Sequence, residues 1–233
     1  MQYLVDPKQT EFQSEIKRLD GDQVQFADTI IYPGGGGQPQ DHAWLTQGDQ
    51  RFDIQAIDDT NTYTLDHPIT DHVTPIFQHI NGAQRQQNCQ YHTLLHLIAA
   101  IASKAGAKVS SNQIAQDHAR IELQFESAEL AEGFTQEQLA KAVHEAIQAQ
   151  AEVSARMVQR HAMADESEHV RTLVSMIPEA VTEVRLVKIA GFDEEACAGT
   201  HVQNTAEIPE PITFEWHRKG AKKRRIKVML PTV

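Results

Sequence analysis

The chain has 233 residues, with 40% hydrophobic and 23% charged side chains, which is enough for one large globular domain or two small ones. A formal net charge of −11 argues against loose, non-specific nucleic-acid binding. The absence of any apolar run near the roughly twenty residues of a membrane helix excludes such a span, and two cysteines, Cys89 and Cys197, do not make a secreted disulfide framework. Met1 to Asp6 lacks a basic stretch leading into an apolar one, so no signal peptide is expected and a cytoplasmic location with reduced thiols is.

Taken in chain order, residues 1–85 are rich in short β-branched or aromatic segments. Gln23–Phe26, Thr29–Tyr32, Phe52–Ile54 and Thr62–Leu65 are separated by turn residues at Asp20-Gly21-Asp22, Pro33 to Gly37, Asp58-Asp59 and Asn81-Gly82. This pattern predicts a small N-terminal β-barrel-like domain. From about Cys89 to Ala105, Leu94, Leu95, Ile98, Ile101 and Ala102 recur at helical spacing, and Gly106 follows as a stop. A second helix is expected from Thr135, whose Thr-x-x-Gln138 reads as a capping box, to about Glu152. A third is expected from near Asp165 until Pro178 stops it. Strands are predicted at Arg120–Phe125, Val184–Ile189, Thr213–Trp216 and Arg225–Leu230. The fold class is therefore α+β: a barrel-like domain over 1–85, then an α+β domain with an antiparallel sheet over 86–233.

Charge is uneven. Residues 1–85 carry 13 acids and 5 bases; the remainder carries 19 acids and 16 bases. Arg218, Lys219, Lys222, Lys223, Arg224, Arg225 and Lys227 cluster late, with no acid after Glu215. Such a run is either a phosphate-facing patch or a solvated strand end.

Two short pairs hold most of the chemistry. His92 and His96 are four apart on the expected helix, so both imidazoles fall on one face; Cys197 and His201 are four apart in a glycine-containing segment after a strand. Three imidazoles and a thiolate form a zinc-like donor set. About a hundred residues separate the pairs, so their meeting in space is an expectation. Cys89 reads as a small core residue. The four glycines Gly34 to Gly37 match no standard phosphate loop, because no Lys-Ser/Thr follows. They make either a close-approach loop or a tight turn.

The motifs His92-x-x-x-His96, Cys197-Ala198-Gly199-Thr200-His201-Val202, Tyr32-Pro33-Gly34-Gly35-Gly36-Gly37-Gln38-Pro39-Gln40-Asp41 and Lys219-Gly220-Ala221-Lys222-Lys223-Arg224-Arg225-Ile226, in this order, resemble the editing domain of alanyl-tRNA synthetases. They resemble still more closely the free-standing AlaX-type proteins. The resemblance implies a zinc-dependent editor acting in trans, which removes the amino acid from mischarged tRNA(Ala): serine first, glycine in some members. It makes His92, His96, Cys197 and His201 the ligands of one Zn2+ per chain. It puts Gly35, Gly36, Gly37, Gln38 and Asp41 beside the active site, with Gln38 a candidate catalytic residue, and Thr93 within the ligand motif. Arg224 and Arg225 become phosphate or structural contacts. Two departures stand out. Ala198 replaces a glycine common in the cysteine motif, and Val109-Ser110-Ser111 replaces a V-S-Q triplet. Ser110 and Ser111 are thus candidates for sensing a substrate hydroxyl, with a turn as the alternative. Two other functions remain open: a non-catalytic, zinc-stabilised tRNA-binding module, and another metallohydrolase, although the lack of Glu after His92 speaks against a H-E-x-x-H protease.

Overall fold

The structure is a computed structural model, and it describes residues 1–71, 73–164, 179 and 181–231. The chain forms two compact units, Met1–Cys89 and Gln90–Val233. The architecture is α+β, with a nearly closed barrel-like sheet in the first unit, as expected.

The first unit contains β1 (Glu11–Ser14), β2 (Ile16–Asp20), β3 (Gln23–Phe26), β4 (Ala43–Gln47), β5 (Gln50–Ile57), β6 (Tyr63–Leu65) and β7 (Ile76–Ile80). They form one antiparallel sheet in the order β1-β7-β4-β5-β6-β3-β2. Its two edges, β1 and β2, follow each other directly in sequence, so the sheet curls almost back onto itself. Val24, Leu45, Phe52, Tyr63 and Ile76 fill its interior.

One expected strand is absent. Residues Thr29–Tyr32 are buried but unpaired in any ladder, because side chains satisfy their backbone instead. The Ile30 N–H donates to Gln78 Oε1 at 3.0 Å, that of Ile31 to Thr29 Oγ1 at 3.0 Å, and that of Tyr32 to Asp41 Oδ2 at 2.6 Å. Buried backbone must find partners, and here polar side chains supply them. The glycine run that follows is a two-residue hairpin turn. Gly35 and Gln38 exchange N–H···O bonds at 3.0 and 2.9 Å, while Gly36 and Gly37 have φ of 57° and 87°. Positive φ at both central positions is what a type I′ turn demands and why glycine sits there.

Helix α1 (Gly82–Lys104) starts seven residues before the expected Cys89. Asn81 caps it, with its Oδ1 accepting from Gln84 N–H and its carbonyl from Arg85 N–H. The Asn81-Gly82 pair is thus a helix start rather than a strand turn. Arg85 is buried and pairs with Asp41 through its Nε (2.9 Å) and Nη2, while Nη2 also donates to the Ile30 carbonyl at 2.6 Å.

In the second unit the remainder of α1 is central. Every residue from Tyr91 to Ala100 is buried, so over this stretch the helix is enclosed all round rather than amphipathic. Gly106, with φ of 79°, ends it as expected. Then come β8 (Ala107–Ile114), β9 (Ala119–Phe125), α2 (Ala128–Gly133), α3 (Gln136–Gln148), β10 (Val153–Gln159), β11 (Glu183–Ile189), β12 (Asp193–Ala196), β13 (Thr213–Arg218) and β14 (Lys223–Met229). The sheets are β13-β14-β9-β8 and β10-β11-β12. The Thr135–Gln138 capping box is complete. The helix it opens stops at Gln148, before the expected Glu152, since Gln150 takes φ of 48° and closes the end. The third expected helix lies outside the described residues. β8 contains Ser110 and Ser111, which are therefore strand and not turn; Ser111 pairs with Glu122 on β9, and Ser110 is the extra residue of a bulge between Val109 and Ser111.

Removing the partner of a buried charge costs about 3–5 kcal/mol. Asp41→Ala is therefore expected to lower the thermal midpoint sharply and to flatten cooperative unfolding of the first unit. A melting curve superimposable on wild type would show that the Asp41–Arg85 pair does not hold this region.

Candidate metal centre

His92 and His96 project from one face of α1, and Cys197 and His201 come from the segment just after β12. Their four donor atoms all lie within 4.8 Å of one another. Cys197 Sγ is 3.5 Å from His92 Nε2 and 3.3 Å from His201 Nε2. The three rings pack with centroids 5.2, 4.4 and 4.6 Å apart. For zinc with bonds of about 2.0–2.3 Å, a tetrahedron has edges of roughly 3.3–3.8 Å. The sulfur–nitrogen separations match that edge, so the residues fit a tetrahedral cation.

The enclosure of α1 makes this grouping expensive without a cation or charge compensation. Burial opposes ionisation of Cys197, yet His92, His201 and His96 together hold its thiol well below the usual thiol range. His201 is pushed down to about 3, chiefly by burial and then by His92. His96 goes the other way. Burial disfavours its charge, but Glu195, Cys197 and Asp193 outweigh burial and raise it to about 10. The pocket therefore favours ionisation of the Cys197 thiol and sets its imidazoles apart in character.

Neighbouring groups orient the donors. Thr93 Oγ1 is 3.1 Å from His201 Nδ1 and accepts from Val202 N–H at 3.3 Å. That leaves His201 Nε2 to face Cys197 Sγ. Glu195 Oε1 lies 3.0 Å and Asp193 Oδ2 3.5 Å from His96 Nδ1, as charged contacts rather than aligned hydrogen bonds. Gly199 N–H donates to Cys197 Sγ at 3.3 Å. Arg185 Nη1 donates to the carbonyls of Cys197 and Gly199, both at 2.9 Å, and so pins the loop to β11. Asp193, Glu195 and Arg185 were not anticipated. The Asp-Glu-Glu run directly before Ala196-Cys197 is the signal that could have revealed the first two.

The remaining candidates are not part of this four-residue cluster. Gly35 and Gly36 are exposed at the hairpin tip, Gly37 is half-buried, and Gln38 is buried at its base. Asp41 is buried, its carboxylate engaged by Arg85 and the Tyr32 N–H. These belong to the first unit. Ser110 and Ser111 are exposed on the edge strand β8, and Ser110 Oγ donates to the Glu122 carbonyl at 3.3 Å. Arg224 is only 2% exposed. Its Nη2 donates to the Ala131 carbonyl at 2.8 Å and its Nη1 to the carbonyls of Gly220 and Lys223 at 3.1 and 3.0 Å. Of the two roles expected for it, this geometry is the structural one. Arg225 faces the other side of β14 and pairs with Glu122 at 2.7 Å.

Known proteins agree with the motifs. A family model described as "Threonyl and Alanyl tRNA synthetase second additional domain" matches residues 184–227. The chain is 29% identical, over 96% of both chains, to "Alanyl-tRNA editing protein AlaX-M" of Methanosarcina acetivorans. It is 29% identical to "Alanine--tRNA ligase" of Halorubrum lacusprofundi, over 87% of this chain and 22% of that one. It is 27% identical to "Alanyl-tRNA editing protein Aarsd1" of Danio rerio, over 89% of this chain and 48% of that one. The resemblance to AlaX-type editing proteins thus extends over nearly the whole chain. No helix among the described residues is long and apolar enough to cross a membrane.

Thr93→Val removes the hydroxyl that fixes His201. Loss of such an orienting partner typically costs about 10–100-fold in metal affinity, and competition with a chelator should read that loss, with Thr93→Ser restoring it. Unchanged affinity in Thr93→Val would remove Thr93 from the support of the site.

Proposed function

We propose that this protein is a zinc-dependent trans-editing hydrolase, which deacylates mischarged tRNA(Ala), chiefly Ser-tRNA(Ala) and secondarily Gly-tRNA(Ala). The observation that carries this reading is the convergence of His92, His96, Cys197 and His201 to within 4.8 Å, in a chain whose relatives are named as alanyl-tRNA editing proteins. The need for such an enzyme is physical. A pocket separates small amino acids by little binding energy, and a second, hydrolytic site corrects the residual error.

In this reading His92, His96, Cys197 and His201 are the ligands of one Zn2+ per chain. Bound there, zinc supplies Lewis acidity, either toward the ester carbonyl or toward a water whose pKa it lowers to about 7. The surrounding residues hold the donors in place. Thr93 sets the ring orientation of His201, Glu195 and Asp193 keep a proton on His96 Nδ1, and Arg185 fixes the Cys197–Gly199 backbone. We assign Gln38 and Ser111 to the reacting end of the substrate, and Gly35, Gly36, Gly37, Asp41, Thr93 and Ser110 to its binding. Asp41 acts from within its ion pair with Arg85. Arg224 supports the fold beneath the basic strand, and Arg225 stands on the strand's outer side. The partner is aminoacylated tRNA(Ala), and the place of work is the cytoplasm.

One observation favours the alternative, a zinc-stabilised tRNA-binding module without turnover. Four protein donors complete a tetrahedron, as in closed structural sites, whereas catalytic zinc usually keeps a position open. Deacylation assays separate the two. Cys197→Ala and His96→Ala are expected to lose bound zinc and to slow single-turnover hydrolysis of Ser-tRNA(Ala) by about 100-fold or more. Full activity in a verified zinc-free preparation would defeat the catalytic-metal reading, and no turnover by zinc-loaded wild type would favour the binding module.

A further inference from the structure

We propose that the outward face of the sheet β13-β14-β9-β8 grips the sugar–phosphate backbone of the RNA partner; the choice of tRNA as that polyanion rests on the function proposed above. On β14 the residues alternate cleanly. Arg224, Ile226 and Val228 are buried, while Lys223, Arg225 and Lys227 lie on the opposite, more open side. Cα pairing carries that side across the sheet. Lys223 is opposite Gln124, Arg225 opposite Glu122 and Lys227 opposite Arg120 on β9. Lys108 on β8 is opposite Gln124 in turn, and Gln113 opposite Arg120. Side-chain contacts confirm the shared face: Arg225 to Glu122 at 2.7 Å, Lys227 to Glu215 at 3.7 Å, and Arg120 Nη2 to Gln113 Oε1 at 3.0 Å.

Charge decides what this face fits. Lys108, Arg120, Lys223, Arg225 and Lys227 bring five positive charges, and Glu122 and Glu215 bring two negative ones. The surplus of three sits on a chain whose formal net charge is −11. An acidic protein that concentrates cations on one sheet face presents a local polyanion site while repelling RNA elsewhere. Alternate residues along a strand stand about 6.8 Å apart and strands about 4.8 Å apart, so the cations form a regular grid. The aromatic residues of β13 lie on the other side. Phe214 and Trp216 alternate with Glu215, and Trp216 packs against Phe134 with centroids 5.7 Å apart. Among these strands the only ring on the open side is the imidazole of His217, opposite Arg225, so the face reads chiefly backbone charge and shape rather than sequence.

The test measures binding of uncharged tRNA(Ala) across a potassium chloride series, together with steady-state deacylation of Ser-tRNA(Ala). The triple variant Lys108→Gln, Lys223→Gln, Lys227→Gln should weaken binding roughly tenfold or more and flatten the plot of log Kd against log salt by about 2–3. In deacylation KM should rise while kcat changes far less. Glu215→Gln, which frees Lys227 and removes a negative charge, should tighten binding. The exposed Lys141→Gln on α3 serves as the surface control. An unaltered Kd and salt slope in the triple variant, or no tightening in Glu215→Gln, overturns the proposal. If the triple variant loses binding but wild type hydrolyses no charged tRNA, the surface stands and the editing function falls. If wild type hydrolyses Ser-tRNA(Ala) and the triple variant does so with unchanged KM, the function stands and the surface falls.

Discussion

Placing three imidazoles and a thiol in the enclosed part of α1 and its neighbouring loop is the constraint on which the second unit depends. Polar groups in such surroundings are costly unless each has a partner. Thr93, Glu195, Asp193, the Gly199 N–H and Arg185 meet that demand around the donors. None of these residues would need to sit as it does if α1 carried only leucine and alanine. The helix gives His92 and His96 their common face, and the hairpin β11–β12 brings Cys197 and His201 to it. Two of the donors thus stand on a rigid helix, and the other two on a loop that Arg185 ties to β11.

The first unit solves a related problem with side-chain hydrogen bonds and an ion pair. Residues Thr29–Tyr32 run through its interior without a neighbouring strand, and Gln78, Thr29 and Asp41 accept their N–H groups. Arg85 then balances the Asp41 carboxylate. The glycine hairpin emerges from this framework, so the exposed tip at Gly35 and Gly36 stands on a buried ionic base. A tip held that firmly is positioned in advance of whatever it meets.

Much of this was legible in the residues. The two i, i+4 pairs marked the donor set because helical spacing and ligand chemistry agree, and the Thr135–Gln138 box marked its helix because capping is local. Long-range effects were not legible. Residues 84–88 are polar, so nothing periodic announced the first turns of α1, and Asn81-Gly82 looked like a strand turn. Ser110 to Gln113 lack any apolar alternation, yet pairing with β9 makes them a strand. Thr29–Tyr32 has strand composition, but tertiary hydrogen bonds replaced a ladder. The division of labour between Arg224 and Arg225 was present in the pattern: Ile226 and Val228 set the phase of β14, and Arg224 shares their parity.

The central claim is that one zinc ion sits among one sulfur and three imidazole nitrogens. X-ray absorption at the zinc edge, on wild-type protein of measured metal content, tests it most directly. The account predicts one zinc per chain, with a single sulfur scatterer at about 2.3 Å and nitrogen scatterers at about 2.0–2.1 Å. A shell of oxygen alone, or a fully active protein without stoichiometric zinc, would contradict it.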